Sequence, residues 1–305
     1  MRYLLFVSIC ALAFSGPILF QDSDLVAPQE MIDEINRVQD SWTASSDWVG
    51  NMTVAEAKQR VAPTIGSQKF LKKNWGALLD NLSVPASFDA RQQWPNCIHP
   101  IQNDGNCHAG WAFAAADTLS DRFCIASNGT VNVVLSAAEI VLCSLEKPSC
   151  IGGTTDVAWT FIQQYGTNSE RCTPQSLIAT SKVCPTVCHP IDIIIYYKVK
   201  KIYTFQGQPE IQAGILSGGP VEVNMEVYQD FLTYKGGVYK HTTGNLVGYT
   251  SVKVIGWGNQ NGTNYWIAAN AWGTSWGLQG YFWIAFGQCN FDVEAIAGKP
   301  DYKAQ

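Results

Sequence analysis

Ten cysteines scattered without repeat along 305 residues constrain this chain more than any other feature. Cysteines at such irregular spacing point to disulfides, and so to an oxidising compartment. One of the ten, Cys10, lies in an amino-terminal run that reads as a secretory leader. Met1-Arg2-Tyr3 gives a positive start, Leu4 to Phe14 carries no charge, and Ser15, Gly16 and Pro17 break the run ahead of Asp22 and Asp24. A dozen or so apolar residues fall short of the roughly 20 that a spanning helix needs. Residues 1–16 are therefore expected to be a signal peptide and not an anchor. The expected route is the secretory pathway, ending in a lysosome-like compartment or outside the cell. Asn-X-Ser/Thr acceptors at Asn51, Asn81, Asn128 and Asn261 agree with a glycosylating lumen.

Charged residues make up only 15% of the chain and apolar ones 47%, which fits neither a disordered tail protein nor a coiled coil. A net charge of −5 leaves nothing to neutralise phosphates, so nucleic acid is excluded as a partner. Residues 17–82 hold no cysteine and carry short amphipathic patterns, Met31 to Ile35 and Ala55 to Lys58 among them. Near Leu82-Ser83-Val84-Pro85 the texture changes to one rich in Trp, Gly and Cys. Helices are predicted over Gly110 to Ala126, with Trp111, Ala115, Leu119 and Phe123 on one face. Two more are predicted over Ser136 to Cys143, capped by Ser136, and over Thr154 to Gln164. Strand patterns follow at Ile194 to Tyr203, Pro220 to Val227, Ser251 to Trp257, Asn264 to Ala269 and Tyr281 to Phe286. The order predicts an α+β protein, with a helical lobe over 83–195 and a β lobe over 196–305.

Three segments carry a resemblance. The first is Pro85-Ala-Ser-Phe-Asp-Ala-Arg-Gln-Gln-Trp-Pro-Asn-Cys97 with Gly105-Asn-Cys-His-Ala-Gly-Trp-Ala-Phe113. The second is Tyr234-Lys-Gly-Gly-Val-Tyr-Lys-His-Thr-Thr-Gly244 with Val254-Ile-Gly-Trp-Gly258. The third is Asn270-Ala-Trp-Gly-Thr-Ser-Trp-Gly277. Taken together they resemble the papain family of cysteine peptidases and, more narrowly, cathepsin B. The resemblance implies a two-lobe fold, a helical lobe against an antiparallel, barrel-like β lobe, in residues 83–305. It implies a short helical propeptide in residues 17–82, with Trp42 at a propeptide tryptophan. A monomer without cofactor or metal is expected, with a peptide, propeptide or protein inhibitor in its cleft and no membrane contact once the leader is removed.

Thiol proteolysis needs a thiolate at a helix N-terminus, an imidazole to take and return its proton, a group to orient that ring, and a donor facing the oxyanion. The residue matching the family's nucleophile is Gly110. Thr250 matches the histidine, and a hydroxyl that does not titrate near neutral pH cannot shuttle a proton. Asp104 matches the oxyanion glutamine; as an ionised acid it would accept hydrogen bonds only and repel the developing charge. Asn270, the orienting residue, is retained. Of the four histidines, His99 lies beside Cys97, His189 follows a cysteine, and His241 matches a hairpin position. His108 reads as a solvated loop residue, or as one facing the cleft. The expectation is a pseudopeptidase with a peptide cleft. An active cysteine endopeptidase and a purely structural secreted glycoprotein are the alternatives.

The resemblance also implies the pairs Cys97–Cys124, Cys107–Cys150, Cys143–Cys184 and Cys172–Cys188, leaving Cys289 as a free thiol. Against this, Cys184-Pro-Thr-Val-Cys188-His189 could be read as part of a zinc site, though it lacks a fourth ligand. Gly152 and Gly153 match the glycines that let substrate backbone approach, Trp272 flanks the cleft, and Glu294 matches an acid that accepts basic side chains. The segment from Cys172 to Cys184 is too short to be the subfamily's occluding loop and lacks its paired histidines, so dipeptide trimming is not expected.

Overall fold

The first structural element is built by the amino-terminal segment, where helix α1 (Gln29–Val38) turns Ile32 and Ile35 inward. It is followed by strand β1 (Trp42–Ala44) and the short helix α2 (Val54–Lys58). A capping box starts α2: Thr53 Oγ1 accepts from the Glu56 amide and Glu56 returns the bond to the Thr53 amide, satisfying two otherwise unpaired donors. The computed structural model describes residues 21–62, 83–144, 150, 152–181, 183–188 and 193–302. The leader, Asn81, His189 and the expected boundary at 82/83 lie outside these residues.

Strand β2 (Phe88–Asp89) and helix α3 (Ala90–Gln93) lead to the long helix α4 (Gly110–Ala126). Three more helices, α5 (Ala137–Cys143), α6 (Thr155–Gln164) and α7 (Ser176–Thr180), complete the helical lobe. Ser136 caps α5 through the Glu139 amide at 2.9 Å, as its position predicts. Helix α4 differs from the amphipathic helix predicted for it. Every residue from Gly110 to Cys124 is buried, because α5, α6 and the sheet cover it on different sides, and one apolar stripe cannot describe such a helix.

The β lobe contains β3 (Val199–Gln206), helix α8 (Gly207–Gly218), β4 (Val221–Tyr228), β5 (Tyr234–Tyr239), β6 (Leu246–Gln260), β7 (Thr263–Ala269), β8 (Tyr281–Ala285) and β9 (Glu294–Pro300). The strand predicted from Ile194 starts five residues later, and α8, β5 and β9 had no sequence prediction. The strand order is β1-β5-β8-β7-β6-β4-β9-β3, with β2 on β6. The sheet is an open path. All its pairs are antiparallel except β5 with β8, where Val238 faces Trp283. This is the papain-like α+β architecture.

The amino-terminal segment is part of this body. Strand β1 pairs with β5, Trp42 opposite Gly237. The Trp42 ring meets Tyr239 edge-on at 5.1 Å and its Nε1 donates to the Lys240 carbonyl. Val26, Ile32, Ile35, Trp42, Val54 and Val61 share one apolar cluster with Phe231, Trp272 and Trp276. Disulfides join Cys97 to Cys124, Cys107 to Cys150, Cys143 to Cys184 and Cys172 to Cys188.

Candidate active site at the lobe junction

The junction is formed where the start of α4 meets β6. Gly110 is the first residue of the helix, and the residue ahead of it, Ala109, has no side chain that could cap it. Across the gap, β6 presents Thr250, which is buried. A Cβ built on Gly110 would stand 2.8 Å from Thr250 Oγ1, closer than real Cβ atoms come. The hydroxyl therefore occupies the room that a side chain at position 110 would need. Gly153 faces the same space, and its missing Cβ is required, since one would run into the Trp111 ring.

The loop before α4 is held against the segment after β7. The Asp104 amide donates to the Ala271 carbonyl at 2.8 Å and the Gly273 amide to Gln102 at 3.0 Å. This brings Asp104 near Asn270, but not into the space beside Gly110, whose lining does not include it. Both Asp104 oxygens are buried without a hydrogen-bond partner, and burial outweighs the attraction of Arg60 and raises its pKa well above the usual aspartate value. Asn270 uses Oδ1 to accept its neighbour's Ala271 amide at 2.9 Å, and its Nδ2 is buried with no partner. Trp272 is buried beside it, with Nε1 also unpaired.

The histidines are spread out. His99 is buried against Asp121, Nδ1 to Oδ1 2.7 Å, and Lys253 binds the other oxygen of that carboxylate at 2.7 Å. His241 stacks on Tyr228 at 3.8 Å between ring centroids and meets Asp230. His108 is not a solvated loop residue: its Nδ1 is buried and unpaired, and it borders the space at Gly110. No thiol accompanies it. Cys107 is tied to Cys150, and the one free cysteine among the described residues, Cys289, is buried in the β lobe. Burial, with Asp230 and Glu226 nearby, pushes the Cys289 thiol up to about 12, where it is inert as a nucleophile.

The zinc reading of Cys184 and Cys188 falls because the two sulfurs belong to different disulfides. Among the described residues one cluster has metal-type side chains, Glu139 with Cys143 and Cys184, and its sulfurs are bonded to each other. Glu294 opens β9 opposite Gln206, and Gly152 sits beside His108 and Ala62.

The amino-terminal segment crosses this junction. Ala62 makes an antiparallel bridge with Tyr249, its amide donating at 2.7 Å and its carbonyl accepting at 2.9 Å. Trp48 stacks on Trp272 at 5.3 Å with 12° between the planes. The Arg60 guanidinium lies 5.0 Å over the Trp48 ring, and its Nη1 donates to the Gly105 carbonyl at 3.0 Å. Sequence reasoning had no signal for Trp48, Arg60 or Ala62, because their role depends on where the segment is laid down.

The description "Papain family cysteine protease" matches residues 84–299. The chain belongs to the papain family of cysteine proteases. Within that family it is cathepsin B-like. It is 34% identical to a protein of Caenorhabditis elegans called "Cathepsin B-like cysteine proteinase 4", over 98% of this chain and 99% of that one. To "Cathepsin B" of Dictyostelium discoideum it is 38% identical, over 72% of this chain and 76% of that one. Among solved structures, "proCathepsin B S9 from Trypanosoma congolense" superposes with a TM-score of 0.85 at 32% identity, covering 91% of this chain and all of that one. Among the described residues no helix is long and apolar enough to cross a membrane.

Proposed function

We propose that this cathepsin B-like protein holds polypeptide in the papain cleft without cutting it. The observation that carries the reading is the contact across the junction: a helix that begins with Gly110, and a Thr250 hydroxyl 2.8 Å from the missing Cβ. Gly110 brings no sulfur to that helix end, and Thr250 brings a hydroxyl instead of an imidazole that could accept a proton. In subtilisin, removing the nucleophile or the base alone costs on the order of 10⁶ in kcat. Residues 48–62 support the second half of the reading, since backbone pairing and ring stacking already hold a stretch of chain across the site. In this reading residues 17–82 act as a propeptide that blocks the cleft, and Glu294 is the acid that would favour basic side chains there. A secretory route is supported by the four disulfides and by the exposure of Asn51, Asn128 and Asn261.

The test compares the unmodified chain, trimmed by an added protease, with a Gly110→Cys, Thr250→His, Asp104→Gln variant on peptide substrates. The unmodified chain is expected to give no turnover. Gly110→Cys alone is expected to stay inactive, because its side chain would meet Thr250. Turnover by the unmodified chain that thiol-directed inhibitors block would overturn the reading.

A further inference from the structure

Far from the cleft, Ala90, Ile255 and Ile267 form a small buried cluster with Phe88 and Trp94 packed against it. Residues two apart on a strand share a face, and this face continues from Ile267 along β7 to Tyr265. Trp283 of β8 lies opposite Ile267. Tyr265 and Trp283 are only half-buried, and their rings stack at 4.7 Å between centroids with 19° between the planes. Gly258 of β6 faces Tyr265 across the ladder. A Cβ there would come within 2.6 Å of the Tyr265 hydroxyl oxygen, so the glycine is what lets the ring lean across the strand. The result is a flat aromatic surface, partly open, with a polar atom at the edge of each ring.

A second, independent feature lies at the end of the same hairpin. Asn261, Gly262 and Thr263 form an Asn-X-Thr acceptor in the turn between β6 and β7, and Asn261 is exposed. Asn261 has φ 51° and Gly262 φ 81°, the pair of positive values that a type I′ hairpin turn requires. Neighbouring side chains brace the turn. Asn259 accepts the Gly262 amide at 3.1 Å and donates to Asn264 Oδ1 at 2.7 Å, and Lys240 Nζ donates to Thr263 Oγ1 at 3.4 Å. The acceptor asparagine is therefore set on a fixed base. Gln260 and Thr263 close the turn, and Tyr265 is two residues further along the strand, about 7 Å. That is within reach of the first sugars of a glycan carried by Asn261.

We propose that the stacked Tyr265–Trp283 pair is the seat of an N-linked glycan on Asn261, with the first N-acetylglucosamine rings laid on the aromatic surface. The chemistry of the two surfaces matches. The face of an aromatic ring carries partial negative charge, and one side of a pyranose ring presents polarised C–H bonds to it. The hydroxyl and N-acetyl groups at the sugar's rim meet the Tyr265 hydroxyl and the Trp283 indole N–H at the ring edges. A sugar seated there covers apolar surface that the fold itself leaves half open. The seat rests on the secretory reading of the chain and not on the state of the cleft.

The test uses the full chain secreted from a glycosylating eukaryotic host and trimmed to the first N-acetylglucosamine of each glycan. Peptide mass spectrometry is expected to find Asn261 occupied, and crystals are expected to show its sugar against the Tyr265 or Trp283 ring. Asn261→Gln should lower Tm by about 1–3 °C. In a Trp283→Leu background the same replacement should lower it by less than half as much. A sugar on Asn261 that touches neither ring, or a Tm loss unchanged in Trp283→Leu, would overturn the proposal. An empty Asn261 beside occupied Asn51 and Asn128 would overturn the seat alone, whereas three empty acceptors would remove the secretory reading with it. If Trp283→Leu does not fold, the crystal of the glycosylated chain decides.

Discussion

Two buried polar centres of this protein are built in opposite ways. At Asp230 every polar atom is matched. Oδ1 accepts the Tyr239 hydroxyl at 2.7 Å and meets His241 Nδ1 at 3.1 Å, while Oδ2 accepts the amides of Thr242 at 2.6 Å and Thr243 at 3.1 Å. At the lobe junction Asp104, His108, Asn270 and Trp272 each bury polar atoms that have no partner. The Asp230 centre is drawn from one stretch of chain, residues 228–243, so its parts arrive together. The junction is assembled from several separate stretches of chain, and a change at one strands the others. Buried polar groups are normally paired, and the junction departs from that rule at these four residues.

This contrast can be broken by mutation. Asp230→Ala should cost the most, about 3–5 kcal/mol in denaturant unfolding, because it strands the Tyr239 hydroxyl, His241 Nδ1 and the amides of Thr242 and Thr243 at once. A loss below about 1 kcal/mol would mean that matching confers little here.

Next in size is the effect of pH. Glu222 lies behind the junction with Oε1 unpaired, and burial raises it from the usual 4.5 to about 8. An acid raised in the folded state holds a proton that the unfolded chain has released, so its contribution is complete below the unfolded pKa and is lost as pH rises. Stability should therefore fall by a few kcal/mol between about pH 4.5 and 8, with Asp104 adding to the slope in the same direction. Glu222→Gln should flatten the curve, and an unchanged slope in that variant would assign the effect elsewhere.

Gly110→Ala should be smaller, about 1–3 kcal/mol, as an overpacking change against Thr250 Oγ1. Thr250→Ala should relieve it, and a double-mutant cycle should give a coupling above about 0.5 kcal/mol. Additive losses would show that the two side-chain positions do not meet. Asn270→Ala should be smallest, about 1 kcal/mol or less, since only the bond to the Ala271 amide is lost and Nδ2 is already unpaired.

Much of the fold was legible along the chain. The bounds of α4 and α5, the Ser136 cap and strands β4, β7 and β8 follow from periodicity and capping residues, which act over a few neighbours. The misses have physical causes. Helix α8 carries Gly, Pro and Gln in its first turn, a weak helical signal that packing overrides. Strand β9, Glu294-Ala-Ile-Ala-Gly-Lys-Pro300, contains residues poor in strand preference and owes its form to pairing with β3 and β4. At the site, the motifs singled out Gly110 and Thr250, and the fold brings the two together. The raised pKa of Asp104 was not legible, because burial is a property of what packs over a residue.

The side chains at these positions were determined by sequence alone: Gly110 has no sulfur and Thr250 no imidazole in any conformation. What lies against them was decided by tertiary structure. Only folding brings the Thr250 hydroxyl against Gly110 and lays Trp48 on Trp272. Those relations are distances between segments remote in the chain, and no local rule of composition or spacing encodes them.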